Sequence, residues 1–367
     1  MLGLFGFYLF EKNIGTINIS SNTTTNDNEV VSLPGFTIPE GFSLSVFAKD
    51  LPGARVMLLD GVNMYVSQTS EGKISRLTIN NGEVIKNEVW LKNLNKPHGL
   101  AISDLYLYYA EEDKITEVKL GTEQPPRKII DLPKGGGGHY TRSLLMGPDD
   151  RLYVSIGSTC NVCLEKDERN ASIYSMNKDG TDFKRVAKGL RNAVFMALNP
   201  VDGNIFATEM GRDNLGDDLP PDEINLIIEG GDYGWPGCYG QRIFDDKFNG
   251  DGSCHDTIPS EIDLQAHSAP LGLAFIPANS SWPADFWYNL LVAYHGSWNR
   301  SEPTGYKIIR IKMNEKGDYL GTEDFITGWL TKSGDKTGRP VDIKVFPSGV
   351  AYISDDNKGV IYRLSMK

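Results

Sequence analysis

The stretch GGGGHYTRSLLMGPDDRLYVSIGS, residues 135–158, joins a polar glycine loop to a pair of strands. Four glycines and His139 form the loop. Behind it, 143–146 and 152–156 are short apolar runs separated by a Gly-Pro-Asp-Asp turn, which is the pattern of two antiparallel strands. Because rigid β scaffolds carry their chemistry on loops, the stretch predicts a functional loop that leads into a strand pair.

The same order of elements recurs along the chain: an apolar strand, a turn, and two further strands. The early copies are spaced at about the 40–45-residue period of a propeller blade. A sandwich does not repeat one strand order in this way, and a lone meander leaves its edges exposed. The sequence therefore predicts an all-β fold, a six-bladed β-propeller with each blade a four-stranded antiparallel sheet. The first strands of the copies are 54–59, 97–102, 143–146, 192–196, 270–275 and 340–345.

A spare strand at 41–48 precedes the first copy. We expect it to complete the outer edge of the last blade and so to close the ring. The 39 glycines, 19 prolines, 16 tyrosines and 15 phenylalanines of the 367-residue chain likewise favour strands and tight turns over helices. Two insertions, 231–268 and the segment around 294–300, interrupt the repeat, and insertions of this kind are typical of binding loops.

The chain is acidic, with 48 acidic against 37 basic residues and a net charge of −11. An acidic surface repels the phosphate backbone, so we expect no nucleic-acid partner.

The four cysteines form two local pairs, Cys160 with Cys163 and Cys238 with Cys254. A CxxC pair is compatible with a metal site, redox chemistry or a small disulfide, but a zinc site would need two more ligands and no second CxxC is present. We expect two structural disulfides, which indicate an oxidising compartment. Free buried thiols are the alternative.

The N-terminus has two parts ahead of the propeller domain at 36–367. Residues 1–13 contain an apolar run that resembles part of a signal peptide or an anchor, although no basic residue precedes it. Residues 14–35 are rich in Asn, Thr and Ser and are typical of a flexible linker. We expect an exported protein, extracellular, periplasmic or held at a membrane by this segment.

Arginines and histidines lie where the six copies begin, and in a propeller such positions gather at one mouth of the channel. Guanidinium groups bind carboxylates and phosphates through paired hydrogen bonds, so the cluster predicts an anionic ligand. The alternative is that each arginine pairs with an acidic neighbour such as Asp342 or Glu209. The set comprises His98, His139, Arg142, Arg191, Asn192, His267, Ser268, Arg339 and Asp342.

His139 differs from the other histidines, because its glycine loop allows backbone to approach a bound molecule closely. An imidazole at that position can act as a general base near neutral pH. For His98 and His267 a ring hydrogen-bonded to backbone is the competing interpretation, and His255 is expected to be structural. The acidic loop 217–223 offers the oxygen ligands that Ca²⁺ prefers, but it has no recognisable calcium-binding spacing, and on the residues alone an ordinary solvated loop is the preferred interpretation.

Several ordered blocks resemble the pyrroloquinoline quinone (PQQ)-dependent soluble sugar dehydrogenases, the glucose, aldose and sorbosone dehydrogenase family. The likeness covers 36–367. The CxxC and HGSWNR blocks are most similar to the sorbosone dehydrogenase branch. The blocks are GGHYTRSLLMGPDDRLYVSIGSTCNVC at 137–163, GLRNAVFMALNP at 189–200, DEINLIIEGGDYGWPGCYG at 222–240, LQAHSAPLGLAF at 264–275, HGSWNR at 295–300, TGYK at 304–307 and GRPVD at 338–342.

The resemblance implies that PQQ, which carries three carboxylates and an ortho-quinone, lies at the channel mouth and accepts hydride from a sugar or related alcohol. His139 would be the base, and Arg191 would stabilise developing negative charge. Ca²⁺ would be held by PQQ and the backbone carbonyls of Gly211 and Arg212, and would polarise the quinone. The residues that would contact the cofactor are Arg142, Arg191, Asn192, His267, Arg300, Lys307 and Arg339.

Two other functions compete with this one. A calcium-dependent hydrolase of the lactonase type would use carboxylates and Asn around a metal and would not need the arginines. A non-catalytic extracellular binding module would have lost its quinone site, against which the joint presence of His139, Arg191, Asn192 and Arg339 argues. We expect a small-molecule sugar or alcohol substrate, an electron acceptor whose nature is open, and a monomer, because loops that bridge subunits in dimeric glucose enzymes are not evident.

Overall fold

The computed structural model describes residues 33–248 and 252–367. The expectations for 1–13 and most of 14–35 lie outside these residues. Within them, six antiparallel sheets form a six-bladed β-propeller, as the repeat predicts, and the helical content is limited to the 3₁₀ turns Thr69–Glu71 and Ala284–Phe286. No helix in the described ranges is long and apolar enough to cross a membrane.

Each blade is ordered from an inner to an outer strand. Blade 1 is Ala54–Asp60, Asn63–Gln68, Lys73–Asn80 and Glu83–Lys92; blade 2 is Leu100–Ser103, Tyr106–Ala110, Lys114–Lys119 and Arg127–Asp131; blade 3 is Leu144–Met146, Leu152–Ile156, Ser172–Met176 and Lys184–Lys188; blade 4 is Ala193–Leu198, Ile205–Glu209, Asp222–Leu226 and Ile262–Leu264; blade 5 is Pro270–Phe275, Leu290–Tyr294, Lys307–Met313 and Tyr319–Ile326; blade 6 is Pro340–Val345, Val350–Asp355, Val360–Met366 and, outermost, Phe42–Ala48.

The outer strand of blade 6 comes from the start of the domain, which confirms the expected ring closure. Phe42–Ala48 pairs antiparallel with Val360–Met366, and Leu44 lies opposite Leu364. Leu44 is fully buried in the apolar layer of this blade. Register is strongly specified in such a strand, because a one-residue slip would move its buried side chains into solvent.

The long insertion of blade 4 alters the expected four-stranded pattern of blade 3. Gly231–Asp232 pairs parallel to Lys184–Lys188 and adds a short fifth strand to blade 3. A small hairpin of Cys238–Tyr239 and Ile243–Phe244 follows before the chain returns to blade 4. Both expected disulfides are formed, Cys160 with Cys163 and Cys238 with Cys254.

The inner strands of blades 1, 4, 5 and 6 share an irregularity near their first residues. In blade 1 the register shifts between Ala54 and Met57, and in blade 5 between Pro270 and Leu273. Blades 4 and 6 shift at equivalent positions. Because a bulge re-aims the side chains beside it, these shifts turn residues at the strand starts toward the channel.

Truncation of Leu44 tests how much ring closure contributes to stability. We expect Leu44→Ala to lower the free energy of unfolding by about 2–5 kcal/mol, because a fully buried leucine leaves a cavity between the joined ends of the ring. Val46→Ala, on the same strand but 46% exposed, is the matched control and should cost less than about 0.5 kcal/mol. Urea unfolding followed by tryptophan fluorescence measures both. Equal effects for the two variants would show that this strand does not secure the ring.

Candidate active site

A cavity of about 360 Å³ lies among loops and strand starts of blades 1, 3, 4, 5 and 6. This volume falls in the range of small-molecule pockets, roughly 300–1,000 Å³. Three bulged strand starts contribute Arg55, Val194 and Leu271 to its wall. Polar and charged side chains dominate the rest, namely His139, Tyr140, Thr141, Arg191, Asn192, Asp213, Asp222, His267, His295, Ser297, Asn299, Lys336 and Arg339.

The tautomer of His139 follows from its hydrogen bonds. Nδ1 lies 2.8 Å from the Ser158 hydroxyl oxygen and 3.1 Å from the Ser158 carbonyl oxygen. The hydroxyl donates its own proton to the Cys160 carbonyl oxygen at 2.7 Å, so both Ser158 oxygens act as acceptors toward the ring. Nδ1 therefore carries the ring proton, and Nε2 keeps the lone pair.

The surroundings of His139 keep its ring uncharged. Burial, and then the nearby charge of Arg191, lower its pKa to about 4. No group in the described part of the chain hydrogen-bonds Nε2. At neutral pH the cavity thus contains a neutral imidazole: its Nδ1 is hydrogen-bonded to Ser158, and its Nε2 is available as a base.

The four glycines before His139 have two different roles. A Cβ on Gly135 would lie 2.4 Å from the His139 carbonyl oxygen, and one on Gly136 would lie 2.3 Å from the Thr159 carbonyl oxygen. Gly137 and Gly138 line the cavity and have φ values of +56° and +91°. The first pair lets the loop pack against the chain that follows Ser158, and the second pair keeps the cavity wall bare beside the imidazole.

Arg191 lines the cavity, but all five of its N–H donors are already used. Nη1 donates to the Met210 and Gly211 carbonyl oxygens at 3.3 and 2.9 Å. Nε donates to the Asn161 carbonyl oxygen at 3.1 Å, and Nη2 donates to Asn161 Oδ1 and Asp213 Oδ2 at 2.9 and 3.0 Å. Its charge acts on the cavity through space, while its hydrogen bonds orient the 210–213 backbone.

Asp356 joins three cavity residues from three blades. Its carboxylate accepts from Arg55 Nη1 at 2.9 Å, from Arg339 Nε at 3.0 Å and from His295 Nε2 at 3.1 Å. Burial by itself would raise the pKa of Asp356, but His295, Arg55 and Arg339 together lower it below its ordinary value. Burial also lowers the pKa of His295. A permanently ionised carboxylate thus holds two guanidinium groups beside the cavity.

These two arginines, unlike Arg191, keep donors for a ligand. Arg55 uses Nη1 in its bond to Asp356, and its Nη2 has no hydrogen-bond partner among the described residues. Arg339 uses only Nε in its ion pair, and Lys336, also in the wall, forms no ion pair within the described ranges. Cationic donors that have no acceptor in the protein bind carboxylates or phosphates readily, so this side of the cavity suits an anion. It fits the carboxylates of a molecule such as PQQ.

His267 and Asn192 line the cavity as expected, with part of their capacity used by the protein. His267 Nε2 lies 2.8 Å from the Gly216 carbonyl oxygen and 3.0 Å from that of Leu219, so Nε2 carries the proton. Asn192 donates its backbone N–H to Glu209 Oε1 at 3.0 Å. Gly157 separates Asn192 from His139, because a Cβ there would lie 2.8 Å from atoms of both side chains.

Four residues expected at the cofactor or metal have side chains outside the cavity wall. Arg142 is fully buried and donates to the carbonyl oxygens of Pro133, His139 and Thr141, so it braces the loop that carries His139. Its side chain is therefore not part of the cavity wall, and its expected contact with a cofactor stays a prediction.

The other three are engaged by acidic neighbours. Arg300 donates to the Asp217 carbonyl oxygen and to Asp218, Lys307 pairs with Asp324 at 2.6 Å, and Arg212 pairs with Asp245 at 2.6 Å. Arg300 and Lys307 thus pair with neighbours outside the cavity wall, and their expected contact with a cofactor stays a prediction. The expectation for Arg212 concerns its backbone carbonyl and stays a prediction.

Three buried carboxyl groups lie at the cavity wall or behind it: Asp222 lines the cavity, and Glu209 and Glu223 do not. Asp222 accepts from the backbone N–H groups of Gly211 and Ala269, both at 2.9 Å, and so ties two cavity segments together. Burial raises the pKa of Asp222 to about 6 and that of Glu223 to about 7. Burial and then Glu223 raise the pKa of Glu209 well above its ordinary value. Because a raised pKa favours the protonated form, these carboxyl groups carry less negative charge near Gly211 than ordinary carboxylates would.

Sequence reasoning missed Arg55, His295, Lys336 and Asp356. Arg55 begins the inner strand of blade 1, as Arg339 and Asn192 adjoin those of blades 6 and 4, so its place in the repeat was an available signal. His295 lies in the short insertion, which contributes 295–299 to the wall, whereas the described part of the long insertion contributes only His267. Asp356 gives no local signal, since its partners are distant in sequence.

Comparison with known proteins agrees with this geometry. The sequence profile of the TrAA12-like family matches residues 36–242 and 238–367. The chain belongs to this family. It is 24% identical over 421 residues to a pyrroloquinoline quinone-dependent sugar dehydrogenase of Hypocrea jecorina, with 94% of this chain and 92% of the relative covered. The expected membership in the PQQ-dependent soluble sugar dehydrogenases is thereby confirmed.

Two further likenesses cover nearly the whole chain. An uncharacterized protein of Borreliella burgdorferi is 31% identical over 374 residues, with 96% of each protein covered. The calcium structure of Trichoderma reesei Carbohydrate-Active Enzymes Family AA12 superposes with a TM-score of 0.80 at 22% identity, covering 94% of this chain and 100% of that chain. The second likeness concerns the fold.

The acid–base state of His139 is measurable without any ligand. In the apo-protein we expect the ring to titrate near pH 4 rather than near the ordinary value of about 6.5, because burial and Arg191 disfavour the charged form. The base is therefore present above pH 4 and lost as pH falls through that value. Nitrogen-15 NMR of labelled histidine follows the titration. A midpoint at or above 6.5 would contradict the burial of the ring and its proximity to Arg191.

Proposed function

We propose that this protein is an oxidoreductase that uses PQQ and Ca²⁺ to oxidise a hydroxyl-bearing carbon of a sugar or related alcohol, with His139 as the general base. One observation carries the proposal. A single cavity contains a neutral imidazole whose Nε2 is free and two arginines, Arg55 and Arg339, with unused donors. A lactonase would need no such cations, and a bare binding module would need no oriented base.

The anion-binding side would hold the cofactor. When bound, PQQ supplies a quinone that accepts hydride, and its carboxylates match the donors of Arg55, Arg339 and Lys336. Asp356 keeps both guanidinium groups in place, so little ordering is needed when the anion binds.

His139 would take the proton of the substrate hydroxyl at Nε2. The imidazolium that forms keeps its Nδ1–H on the two Ser158 oxygens, which stabilises the charge. Arg191 opposes that charge, and an anionic cofactor offsets it. The base therefore becomes stronger once the anion side of the cavity is filled.

Calcium would lie beside the 210–213 segment. The carbonyl oxygens of Gly211 and Arg212 are ligands of the type that Ca²⁺ prefers, and the Gly211 oxygen has a second lone pair beyond its bond to Arg191. The carboxylates of Asp213 and Asp222 are also in the wall and reduce repulsion between the ion and Arg191. Ca²⁺ is also the cation named for the solved Trichoderma reesei structure.

Substrate would enter past Trp298. This side chain lines the cavity and is 74% exposed, so its indole presents a broad apolar face with a polar edge at the rim. A sugar ring, with apolar C–H faces and polar edges, suits such a surface. The two disulfides support an exported protein.

Reconstitution tests the proposal directly. We expect the purified apo-protein to reduce an artificial dye only when PQQ and CaCl₂ are both added, with EGTA abolishing turnover and excess CaCl₂ restoring it. Aldoses and sorbosone should exceed simple alcohols as substrates. Quinone binding without turnover would favour a binding module, lactone hydrolysis with Ca²⁺ alone would favour a hydrolase, and absence of quinone binding would overturn the proposal.

His139→Ala tests the base. We expect kcat to fall about 10²–10⁴-fold because proton removal loses its acceptor, while the affinity for PQQ changes little. His255→Ala is the control, since His255 is exposed in the long insertion and, among the described residues, pairs only with Asp256. Stopped-flow dye reduction and fluorescence titration with PQQ separate the two effects. If His139→Ala turns over at the wild-type rate, the base lies elsewhere.

A further inference from the structure

The loop closed by Cys160 and Cys163 touches both sides of the proposed chemistry. The disulfide joins residues three apart, directly after the inner hairpin of blade 3. Its backbone packs against the glycine loop, because the Cβ of a residue at Gly137 would lie 3.2 Å from Cys160 Cα. Neither its spacing nor the family resemblance gives this loop a role beyond a structural disulfide.

Asn161 lies inside this loop and hydrogen-bonds both Arg191 and the 210–213 segment, beside which Ca²⁺ is proposed to bind. It accepts from Arg191 through both its carbonyl oxygen and its Oδ1, at 3.1 and 2.9 Å. Its Oδ1 also accepts the backbone N–H of Asp213 at 2.8 Å, and its Nδ2 donates to the Asp213 carbonyl oxygen at 3.1 Å. One side chain therefore fixes a cation and the backbone two residues beyond Gly211.

Cys160 acts on the other side, through Ser158. Its carbonyl oxygen accepts a hydrogen bond from the Ser158 hydroxyl. The hydroxyl oxygen can therefore accept a hydrogen bond from His139 Nδ1. If that carbonyl moved, the hydroxyl would be free to donate toward the ring instead, and Nε2 would no longer be the sole position for the lone pair. The loop thus helps to select the tautomer that leaves Nε2 basic.

We propose that the Cys160–Cys163 loop is the positioning element of this active site, with Asn161 orienting Arg191 and the 210–213 backbone and Cys160 orienting Ser158 and His139, and that the loop performs this role only while its disulfide is intact. The catalytic part of the inference rests on the proposed function. Asn161 and Cys160 are positioning residues, because they act through Arg191, Ser158 and the 210–213 backbone.

The disulfide is open to reduction. Cys160 and Cys163 are half-buried, whereas Cys238 and Cys254 are buried. A dithiol would transfer two electrons and two protons to the Cys160–Cys163 bond, which breaks to give two thiols while the dithiol becomes a disulfide. The freed loop would then no longer fix the hydrogen bonds of Asn161 to Arg191 and Asp213, or that of Cys160 to Ser158.

Two double variants test the disulfide. We expect Cys160→Ser/Cys163→Ser to lower kcat about 100-fold, because misplaced groups lose near-attack geometry, and to raise the Ca²⁺ concentration needed for half-activation. The native Cys238–Cys254 disulfide closes a longer loop than the Cys160–Cys163 disulfide, so Cys238→Ser/Cys254→Ser should lower the melting temperature more and kcat less. Mild dithiol treatment of wild type should reproduce the first phenotype. Equal kcat in the first variant and wild type would overturn the inference.

Asn161→Ala isolates the side chain. We expect about a tenfold fall in kcat from the lost hydrogen bonds, and a less than additive fall when the change is added to Arg191→Ala, because the two side chains share a hydrogen bond and the same backbone segment. Asn177→Ala is the matched control: Asn177 also accepts from an arginine, Arg151 Nη1 at 2.9 Å, but outside the cavity wall. Additive losses in the Asn161 and Arg191 double variant would contradict the arrangement.

Two measurements on the apo-protein separate this inference from the proposed function. Hydrogen exchange at the Asp213 amide should be slow in wild type and faster in Asn161→Ala or after reduction. Nitrogen-15 shifts should show one His139 tautomer in wild type and a mixture in Cys160→Ser/Cys163→Ser. If both hold while wild type shows no PQQ-dependent turnover, the proposed function fails and the loop's structural role stands. If neither changes, the positioning role fails even in an active enzyme.

Discussion

Closure of the ring is the constraint on which the site depends. The strand Phe42–Ala48 brings the start of the domain onto its last blade, and this places Arg55 of blade 1 beside blade 6. Blades 1 and 6 meet at the seam of the ring, which two further hydrogen bonds stabilise. The Met57 N–H donates to Asp342 at 2.9 Å, and the Ser354 hydroxyl donates to the Arg55 carbonyl oxygen at 2.6 Å. Without the seam, the two guanidinium groups on Asp356 would belong to opposite ends of an open sheet array.

The cations of the cavity divide into two kinds. Arg191 is saturated by the protein, so it contributes charge and holds the 210–213 backbone. Arg55 and Arg339 share one carboxylate and keep other donors free. In a partly buried site such donors interact more strongly than at the surface, because water screens them less. The division separates groups that organise the cavity from groups available to a ligand.

Site residues that occupy a recognisable position in the sequence repeat could be predicted, whereas residues defined by distant partners could not. The starts of the repeats located His139, Arg191, Asn192 and Arg339, all of which line the cavity. Arg142 occupies an equivalent place in the repeat but lies outside the cavity wall, because its Nη1 and Nη2 donate to three carbonyl oxygens of its own loop. The sequence around Asp356 contains no pattern that indicates its pairing with Arg55, His295 and Arg339.

The sequence by itself determined the strand pattern, the number of blades, the closing strand, the disulfide pairs and the mouth where chemistry gathers, because hydrophobic period, turn residues and repeat spacing are local properties. Only the tertiary structure decided which arginines are open, which nitrogen of His139 is basic, and that the Cys160–Cys163 loop holds Arg191. Those outcomes depend on hydrogen-bond partners and burial supplied by other blades and by loops far along the chain, and no local pattern encodes them.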